Sequence, residues 1–293
     1  MYEAARLLEG IWFQFCQIAP YWAGGLIAGS IVSVFLSEKI SQKMTQIGAG
    51  RFWFFPLCLA SILGIISPLC MYGTVPIIAA LGKKGVGQHL LASFMVSSIL
   101  LNPNIIILSF ALGSGIALAR LALCFISGVL AGVLVYLFFK SKQLFSLEKF
   151  ADNSPLLKKK KNFFLDILKA VRITAPYLLF GITLTALFDR YVPPDWISVM
   201  FGARRGLGVL FATTLSIPLY ACGGGTIPLI NAWMQAGMGA GDAMAFMLAG
   251  PAVKINNLSA VKMILGAKHF FFYILYSLTF AVLSGLIIGL IIN

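Results

Sequence analysis

The sequence contains little charge for its length, and very little of that charge is acidic. Asp, Glu, Lys and Arg make up 11% of the 293 residues, with 9 acidic residues against 22 basic ones. A soluble domain carries about twice that charged fraction, because its surface must be polar. The chain is 60% hydrophobic and its mean hydropathy is +0.94. The composition therefore excludes an ordinary soluble domain and predicts an integral membrane protein.

Motifs of several other protein classes are missing. The five cysteines lack metal-finger spacing, and the two histidines, His89 and His269, make no metal site. No phosphate loop of the form G-x-x-x-x-G-K-[ST] and no hydrolase constellation occur, so we expect neither an enzyme nor a cofactor. The net charge is +13, and the charged residues lie between apolar runs. This distribution indicates membrane topology and not nucleic-acid binding. No cleavable signal is evident at the N-terminus, which favours insertion into a bacterial-type inner membrane through the chain's own helices.

Part of the sequence occurs twice. Residues 70–104 match residues 222–256 at an offset of 152 without a gap, and 11 of these 35 positions are identical. Unrelated membrane segments would share roughly two to four identities, because apolar segments draw on few residue types. The repeat predicts two homologous membrane halves, and a duplicated segment broken by Gly and Pro indicates a transporter's substrate site.

The apolar runs predict an all-α membrane protein. About 20 apolar residues span the hydrocarbon, which is about 30 Å thick. The first half reads as an interfacial piece at 8–19, a crossing at 20–36, discontinuous crossings at 53–83 and 88–113, and a clean span at 116–139. The second half has pieces at 168–189, 206–221, 225–236, 241–250, 254–265 and 268–291. We expect about eight crossings in all (between eight and ten). Parallel halves and, if the short pieces are re-entrant, inverted halves both remain open.

A basic segment separates the two halves. Between Lys140 and Arg172 there are nine basic and three acidic residues, centred on the run 158–161. The positive-inside rule predicts a cytoplasmic linker beside anionic headgroups. The predicted organisation is a first membrane repeat at 1–140, a basic cytoplasmic linker at 141–167 and a second membrane repeat at 168–293.

The helix breaks are the predicted chemical site. A broken helix in lipid exposes backbone groups, which persist if they line a cavity or meet a ligand. Cys70 and Cys222 each precede a restarting helix, where the pKa of a thiol is typically lowered. Thiolates bind soft elements, so the two cysteines are candidate ligands of a soft metalloid; their alternative role is to fill tight packing. The remaining cysteines, Cys16, Cys58 and Cys124, are interpreted as buried apolar residues.

Lys254 is a cation within an otherwise uncharged stretch, so it is a functional candidate by default. Its alternative is a lysine that snorkels to an interface. The asparagines near the breaks either bind a ligand or tie broken helix ends together. Arg120, Arg172, Asp242 and Lys262 lie near predicted helix ends and are interpreted as interface anchors. The candidate substrate-binding residues are Cys70, Tyr72, Gly73, Thr74, Asn102, Asn104, Cys222, Gly223, Gly224, Gly225, Thr226, Lys254 and Asn256.

Four runs in the chain resemble motifs of one family. They are residues 68–76, the break at 101–103, and residues 218–222 and 249–252. In order and position they are similar to the predicted-permease family that includes the organoarsenical efflux permeases. The resemblance implies an integral membrane permease that exports trivalent organoarsenicals such as methylarsenite, driven by an ion gradient. The family's first motif commonly has a second cysteine where this chain has Tyr72, and its second motif often has Ser-Glu where this chain has Gly223-Gly224.

These features predict a secondary transporter that exports a small thiophilic solute through a site between the repeats. One alternative is a permease for another small sulfur compound or an anion, attracted by Lys254. A second alternative is a membrane subunit that hands metal or redox equivalents to partner proteins. The expected partners are a small-molecule substrate and the lipid bilayer, with a homo-oligomer left open.

Overall fold

A computed structural model describes residues 9, 12, 15–16, 54–67, 71–83, 85–139, 144–145, 207–220, 226–235 and 237–292. Every regular element within these ranges is a helix, as predicted. The helices are α1 (Phe54–Ile66), α2 (Met71–Lys83), α3 (Gln88–Leu100), α4 (Pro103–Ser109), α5 (Ser114–Phe138), α6 (Leu207–Leu219), α7 (Thr226–Gln235), α8 (Ala240–Val253) and α9 (Ile255–Ile292). A 3₁₀ turn, Phe110–Leu112, follows α4, and α9 is kinked at Gly266. The predicted crossings at 20–36 and 168–189, and nearly all of the linker at 141–167, lie outside the described residues.

Two described helices are long and apolar enough to cross a membrane: Ser114–Phe138, and the part of α9 from Ile264 to Ile292. They correspond to the predicted spans at 116–139 and 268–291. A third candidate is the pair of helices Gln88–Leu100 and Ile105–Leu112, which meet at 51°. The chain is therefore an all-helical membrane protein with two or three candidate spans in its described part, and the larger total stays a prediction.

The centre of the described part is formed by α3 and α8, which contact each other. All residues of α8 except Asp242 are buried, and α3 is buried from Leu90 to Leu100. The outer helices α5 and α9 instead expose large apolar side chains, such as Leu118 at 58% and Leu290 at 85%. An apolar outer surface around a buried centre is the arrangement expected in lipid.

Small residues allow the outer helices to approach the central ones closely. A Cβ atom added at Gly128 of α5 would collide with the Ser97 hydroxyl of α3. A Cβ atom at Gly285 of α9 would lie 2.8 Å from both the Ala245 Cβ and the Gly241 carbonyl oxygen of α8. Helices in membranes associate through close backbone contact at small residues, because lipid leaves no hydrophobic driving force for helix association.

The first three helices lie side by side, with α2 running opposite to α1 and α3. The contacts between α1 and α3 progress in the same direction along both helices. Ser93 Oγ donates to the Leu57 carbonyl at 3.0 Å, and four residues later on each helix the Ser61 and Ser97 hydroxyls lie 2.7 Å apart. Hence α1 and α3 are parallel. Helix α2 starts beside the end of α3 and ends a short turn before its beginning, so it runs backwards. The prediction of one discontinuous crossing at 53–83 is therefore wrong, because the chain reverses between α1 and α2.

The second half repeats this parallel pairing. Near the start of α6, a Cβ atom at Gly208 would lie 2.7 Å from the Asp242 carboxylate of α8, and near its end the Tyr220 ring lies against Gly250. Contacts between α6 and α8 thus advance in the same direction along both helices. The two helices are parallel, as α1 and α3 are.

The central helices run in opposite directions. Helix α5 is antiparallel to α3, because its Tyr136 ring meets the His89 ring edge to face while its Gly128 meets Ser97. Helix α9 is likewise antiparallel to α8, since Tyr273 bonds the Ala252 carbonyl at 3.1 Å while Gly285 meets Ala245.

Helices α5 and α9 are antiparallel to each other. The Phe139 ring lies 5.3 Å from the His269 ring, and the Ser127 and Tyr276 hydroxyls lie 3.1 Å apart. Three successive reversals, from α3 to α5 to α9 to α8, leave α3 and α8 antiparallel.

The chain leaves helical geometry after each central helix, as predicted, but after α8 it does so at a different residue from the one expected. The first departure lies at Leu101 and Asn102, as predicted. The second was expected at Gly250 and Pro251, yet α8 continues to Val253 and the chain leaves helical geometry at Lys254 (φ −53°, ψ 136°). Proline removes one N–H donor without forbidding helical geometry at its own position. Pro251 is therefore accommodated near the end of α8.

The turns before α3 and α8 have the same hydrogen bonds. Gly85 N–H donates to the Gly82 carbonyl and Val86 N–H to the Leu81 carbonyl. In the second half, Gly237 donates to Met234 and Met238 to Trp233. Gly85 (φ 82°) and Gly237 (φ 105°) both have positive φ, a conformation that glycine adopts without strain.

Candidate functional site at the helix breaks

Two interruptions define the candidate site. The first break is residues 68–70, between α1 and α2, and the second break is residues 221–225, between α6 and α7. The candidates Cys70 and Cys222 and the glycines at 223–225 lie inside these breaks and outside the described residues. The thiol pair and its soft-metalloid role therefore stay predictions. Described residues border both breaks and give the site its geometry.

Hydroxyl groups border the first break. Ser67, the last described residue before it, donates to the Gly64 carbonyl at 2.6 Å, and its oxygen lies 3.2 Å from that of Ser98. Ser98 in turn lies 2.9 Å from the hydroxyl of Thr74, which is fully buried near the start of α2. Three hydroxyls thus connect both edges of the break to the end of α3. In a buried site they satisfy one another and can also bind a polar solute.

An aromatic side chain borders the second break. Tyr220 is the last described residue before it, is 5% exposed, and lies against Gly250 so closely that a Cβ atom there would collide with its ring. Across the break, Thr226 begins α7 and is buried. The Trp233 and Phe246 rings meet edge to face at 5.4 Å and cover this side of α8. The described residues at the edges of the two breaks therefore differ: hydroxyl groups of serine and threonine border the first, and Tyr220 and Thr226 border the second.

Asn102 and Lys254 occupy matching places after the central helices. Asn102 is the N-cap of α4, and its Oδ1 accepts a bond from Ile105 N–H at 3.0 Å. Lys254 stands directly before α9, and its carbonyl accepts from Leu258 N–H at 3.0 Å. Its side chain is 6% exposed, which argues against a lysine that snorkels to a surface. Asn257 donates to the Pro251 carbonyl at 2.7 Å and so joins the start of α9 to the end of α8, whereas Asn102 caps α4 alone.

The other candidates are described in backbone only. Tyr72 and Gly73 lie in the first turn of α2, Asn104 lies in α4, and Asn256 lies in α9. Their roles stay predictions.

Arg120 is the residue that sequence reasoning placed wrongly. It was interpreted as an interface anchor, yet its side chain is 0% exposed within α5. Nη1 donates to the Ser109 hydroxyl at 2.9 Å, and Nη2 donates to the Met247 carbonyl at 3.3 Å. Nη2 also reaches the Tyr220 hydroxyl at 3.5 Å. Arg120 thus connects the first half directly to α8 and to the edge of the second break.

A signal for Arg120 was present in the sequence. It is the single charged residue between Lys84 and Lys140, a stretch that is otherwise apolar. A charge inside a membrane span generally faces the bundle interior or a cavity.

The predictions for the remaining cysteines and polar residues have mixed outcomes. Cys124 is buried as predicted, Cys58 is half-buried, and Cys16 is exposed, which contradicts its interpretation as buried. Lys262 is exposed, and Asp242 is half-buried in the first turn of α8. Within the described ranges no group of three His, Cys, Asp or Glu residues comes together to hold a metal ion.

Comparisons with known proteins identify a family and several relatives. A family described as "predicted permease" matches residues 16–290, nearly the whole chain. No solved structure gives a significant match.

The relatives include the UPF0718 protein YcgR of Bacillus subtilis, 23% identical over 92% of both chains. A Streptococcus mutans protein, named as a subunit of a two-component membrane permease complex, is 25% identical over 93% of this chain and 91% of its own. A UPF0718 protein of Methanocaldococcus jannaschii is 26% identical over 64% of this chain. The matched part spans 46% of that relative's length.

Proposed function

This chain belongs to the predicted permease family, and from that premise we propose a secondary transporter whose substrate binds between two inverted halves. One observation carries the proposal: α3 and α8 touch at the centre, run in opposite directions, and each has a parallel helix that ends at a break. Inverted repeats with broken helices at their interface are the architecture in which transporters bind solutes.

Matching backbone details support the internal repeat. The hydrogen bonds of the Gly85 turn recur at the Gly237 turn with every donor and acceptor displaced by 152 residues (237 − 85 and 234 − 82). The bond from Ile106 to Asn102 recurs from Leu258 to Lys254 at the same offset. Because sequence and backbone agree on one offset, a duplicated unit is the simplest explanation. In the proposed mechanism one half rocks against the other and opens the site to each side in turn.

For the substrate we propose a thiophilic solute, with a trivalent organoarsenical as the leading case. Cys70 stands directly before Met71, the first residue of α2, and Cys222 stands four residues before Thr226, the first residue of α7. The N-terminal end of a helix favours a thiolate, and thiolates bind soft elements. Two thiols from opposite halves would hold the solute and release it as the halves move.

The test of this mechanism is transport by two single variants. We expect Cys70→Ser and Cys222→Ser each to abolish methylarsenite flux in proteoliposomes that contain this chain alone, because a hydroxyl is a poor ligand for trivalent arsenic. Cys16→Ser is the matched control, since Cys16 is exposed and distant in sequence from both breaks. Unchanged flux in the double variant Cys70→Ser/Cys222→Ser would exclude substrate binding by the two thiols. The assignment of the chain as a permease would still hold.

A second substrate class, a small anion, is favoured by the buried cations near the second break. Arg120 and Lys254 are 0% and 6% exposed. Buried charge in a membrane protein marks ion and substrate paths. Flux that ignores both cysteines and fails in Lys254→Ala would support this class.

A role as one subunit of a larger assembly is the third reading, because the Streptococcus mutans relative is named as such a subunit. Flux through liposomes that contain this chain as their sole protein would exclude a purely accessory role. Export across a bacterial inner membrane, with the linker at 141–167 in the cytoplasm, completes the proposal.

A further inference from the structure

Helix α5 belongs to the first half and touches the second half at three depths. We call the end of α5 at Ser114 the outer end, and the end at Phe139, shortly before the linker, the inner end. Near the outer end, Arg120 donates to the Met247 carbonyl at 3.3 Å and to the Tyr220 hydroxyl at 3.5 Å. Arg120 follows Ser114 by six residues, which is about 9 Å along the helix axis. The first contact therefore lies in the outer part of the interface.

The other two contacts lie at the middle and at the inner end of α5. Ser127 is one residue past the midpoint of the 25-residue helix, and its carbonyl accepts from the Tyr276 hydroxyl. At the inner end, the Phe139 ring meets the rings of His269 and Phe272, with centroids 5.3 and 6.0 Å away. The three contacts thus follow one another from one face of the membrane to the other.

A proline in α8 creates the acceptor that Arg120 uses. Pro251 has no N–H, so the Met247 carbonyl four residues earlier loses the donor that a regular helix would supply. Nη2 of Arg120 takes the place of that donor from the other half. At the repeat offset of 152 (251 − 99), Pro251 corresponds to Ile99 of α3, which has an N–H. This acceptor therefore exists in α8 and not at the matching place in α3.

Arg120 and its acceptor lie at the same depth. Helices α5 and α8 are parallel, because each is antiparallel to α3. Met247 follows Ala240, the first residue of α8, by seven residues, about 10 Å along the axis. When one half of a transporter rocks against the other, contacts on the opening side must separate, whereas contacts at the pivot persist. A contact confined to the outer part of the interface is thus one that outward opening must break.

The contact is made of groups that water can satisfy once they separate. Outside the closed interface the guanidinium and the Met247 carbonyl each regain water as a hydrogen-bond partner, so neither stays buried and unpaired. Hydrogen bonds from a charged donor are also directional and stronger than neutral ones. They define one closed arrangement, whereas apolar packing is non-directional.

We propose that Arg120 is a latch, which holds the outer side of the interface closed and releases α8 when the transport site opens outward. The contact between Ser127 and Tyr276 is the pivot, and the aromatic contact of Phe139 closes the inner side. The inference rests on the proposed function in one respect, namely that the two halves rock. It adds the residue that holds one of the two states.

The test is the access of water to Ser109 from the outer side. The Ser109 hydroxyl accepts from Nη1 of Arg120 and is 1% exposed, so Ser109→Cys should react with a membrane-impermeant maleimide only when the latch opens. The variant is made without native cysteines and is labelled in right-side-out vesicles. We expect slow labelling, which becomes at least about fivefold faster when Arg120→Met is added, because the labelling rate follows the open population. Methionine has a similar length but no donor for the Met247 carbonyl, which then gains a partner only when water enters.

Ser93→Cys is the matched control. Ser93 is 0% exposed and donates to the Leu57 carbonyl, so both its partner and its helix belong to the first half. It should stay unlabelled with and without Arg120→Met, because rocking moves each half as a unit. Equal labelling of Ser93→Cys and Ser109→Cys would show general loosening of the fold and would overturn the latch.

Two further results contradict the inference. One is a labelling rate of Ser109→Cys that Arg120→Met does not change. The other is faster labelling from the inner side, measured in inside-out vesicles. If Arg120→Met does not fold, Tyr220→Phe replaces it, since it removes one acceptor and retains the ring beside Gly250. A labelling rate unchanged in Tyr220→Phe would then count equally against the latch.

Flux through the chain with its native cysteines separates this inference from the proposed function. Methylarsenite flux in the wild type, together with labelling that does not depend on Arg120, would end the latch and leave the permease in place. Labelling that depends on Arg120, without flux of any solute through the wild type, would retain the opening motion and remove the proposed transport role.

Discussion

At the scale of single residues, glycine and serine decide how closely the helices approach. A Cβ atom at Gly128 would collide with the Ser97 hydroxyl and lie 2.6 Å from that of Ser61. Those two hydroxyls are themselves hydrogen-bonded at 2.7 Å. One glycine therefore makes room for a polar contact that joins three helices. The serines matter because lipid cannot satisfy a lone hydroxyl.

Gly128→Val should destabilise the protein by roughly 1–3 kcal/mol, the usual cost of overpacking a tight interior. The measurement is the thermal unfolding midpoint of the purified protein in detergent. Gly115→Val on the same helix is the control, since Gly115 has open space around its Cβ position. Equal midpoints for the two variants would mean that α5 does not pack on α3 as described.

At the scale of elements, the ends of α3 and α8 are set by capping residues and prolines and not by a local loss of apolar residues. Asn102 stops α3 and starts α4 by accepting a bond from Ile105 N–H, directly before a proline whose absent N–H costs nothing at a helix start. In the other half, Lys254 stands directly before α9 at the matching position, after a longer α8. Both residues leave helical geometry between two helices, but with different side chains and different backbone angles (φ −136° at Asn102 and −53° at Lys254).

Asn102→Ala should destabilise the protein by about 1 kcal/mol, the typical cost of losing an N-cap, whereas Asn102→Ser should retain most of the stability. Urea or thermal unfolding of both variants measures the difference. If instead Asn102 binds substrate directly, transport will fall in both variants while stability stays near the wild-type value. The pair therefore separates a capping role from a ligand role.

At the scale of the whole molecule, the antiparallel central helices imply that equivalent turns lie on opposite faces of the membrane. The Gly85 turn, Phe139 and His269 lie at one end of the bundle, because Leu144 N–H donates to Gln88 and the rings of Phe139 and His269 meet. Ser114 and the Gly237 turn lie at the other end. Lys83 and Lys268 lie at the first end, where the basic linker also begins, whereas Arg204 and Arg205 closely precede α6 at the other end. The positive-inside rule therefore predicts that the first end, which has more basic residues, is the cytoplasmic one.

Single cysteines introduced into a variant without native cysteines test this arrangement. In oriented vesicles, a membrane-impermeant maleimide should label Lys268→Cys from the cytoplasmic face and Gln235→Cys from the opposite face. Both positions are exposed. Labelling of both positions from the same face would show that the halves are parallel and would remove the inverted-repeat proposal. Labelling after solubilisation controls for reactivity.

The sequence by itself determined the membrane class, the helical architecture and most boundaries of the described helices. These follow from local quantities, namely hydropathy over a helix length and the conformations open to Gly, Pro and Asn. Such quantities also located the Asn102 break, since capping depends on neighbours within four residues.

The tertiary structure alone decided the direction of each helix and the burial of Arg120. A 13-residue helix has the same sequence pattern whether the chain continues across the membrane or turns back, so the reversal between α1 and α2 was hidden. Likewise, an arginine one helix turn from water and an arginine bonded to α8 differ through partners a hundred or more residues away. Contacts between distant segments are fixed by packing, and no local pattern records them.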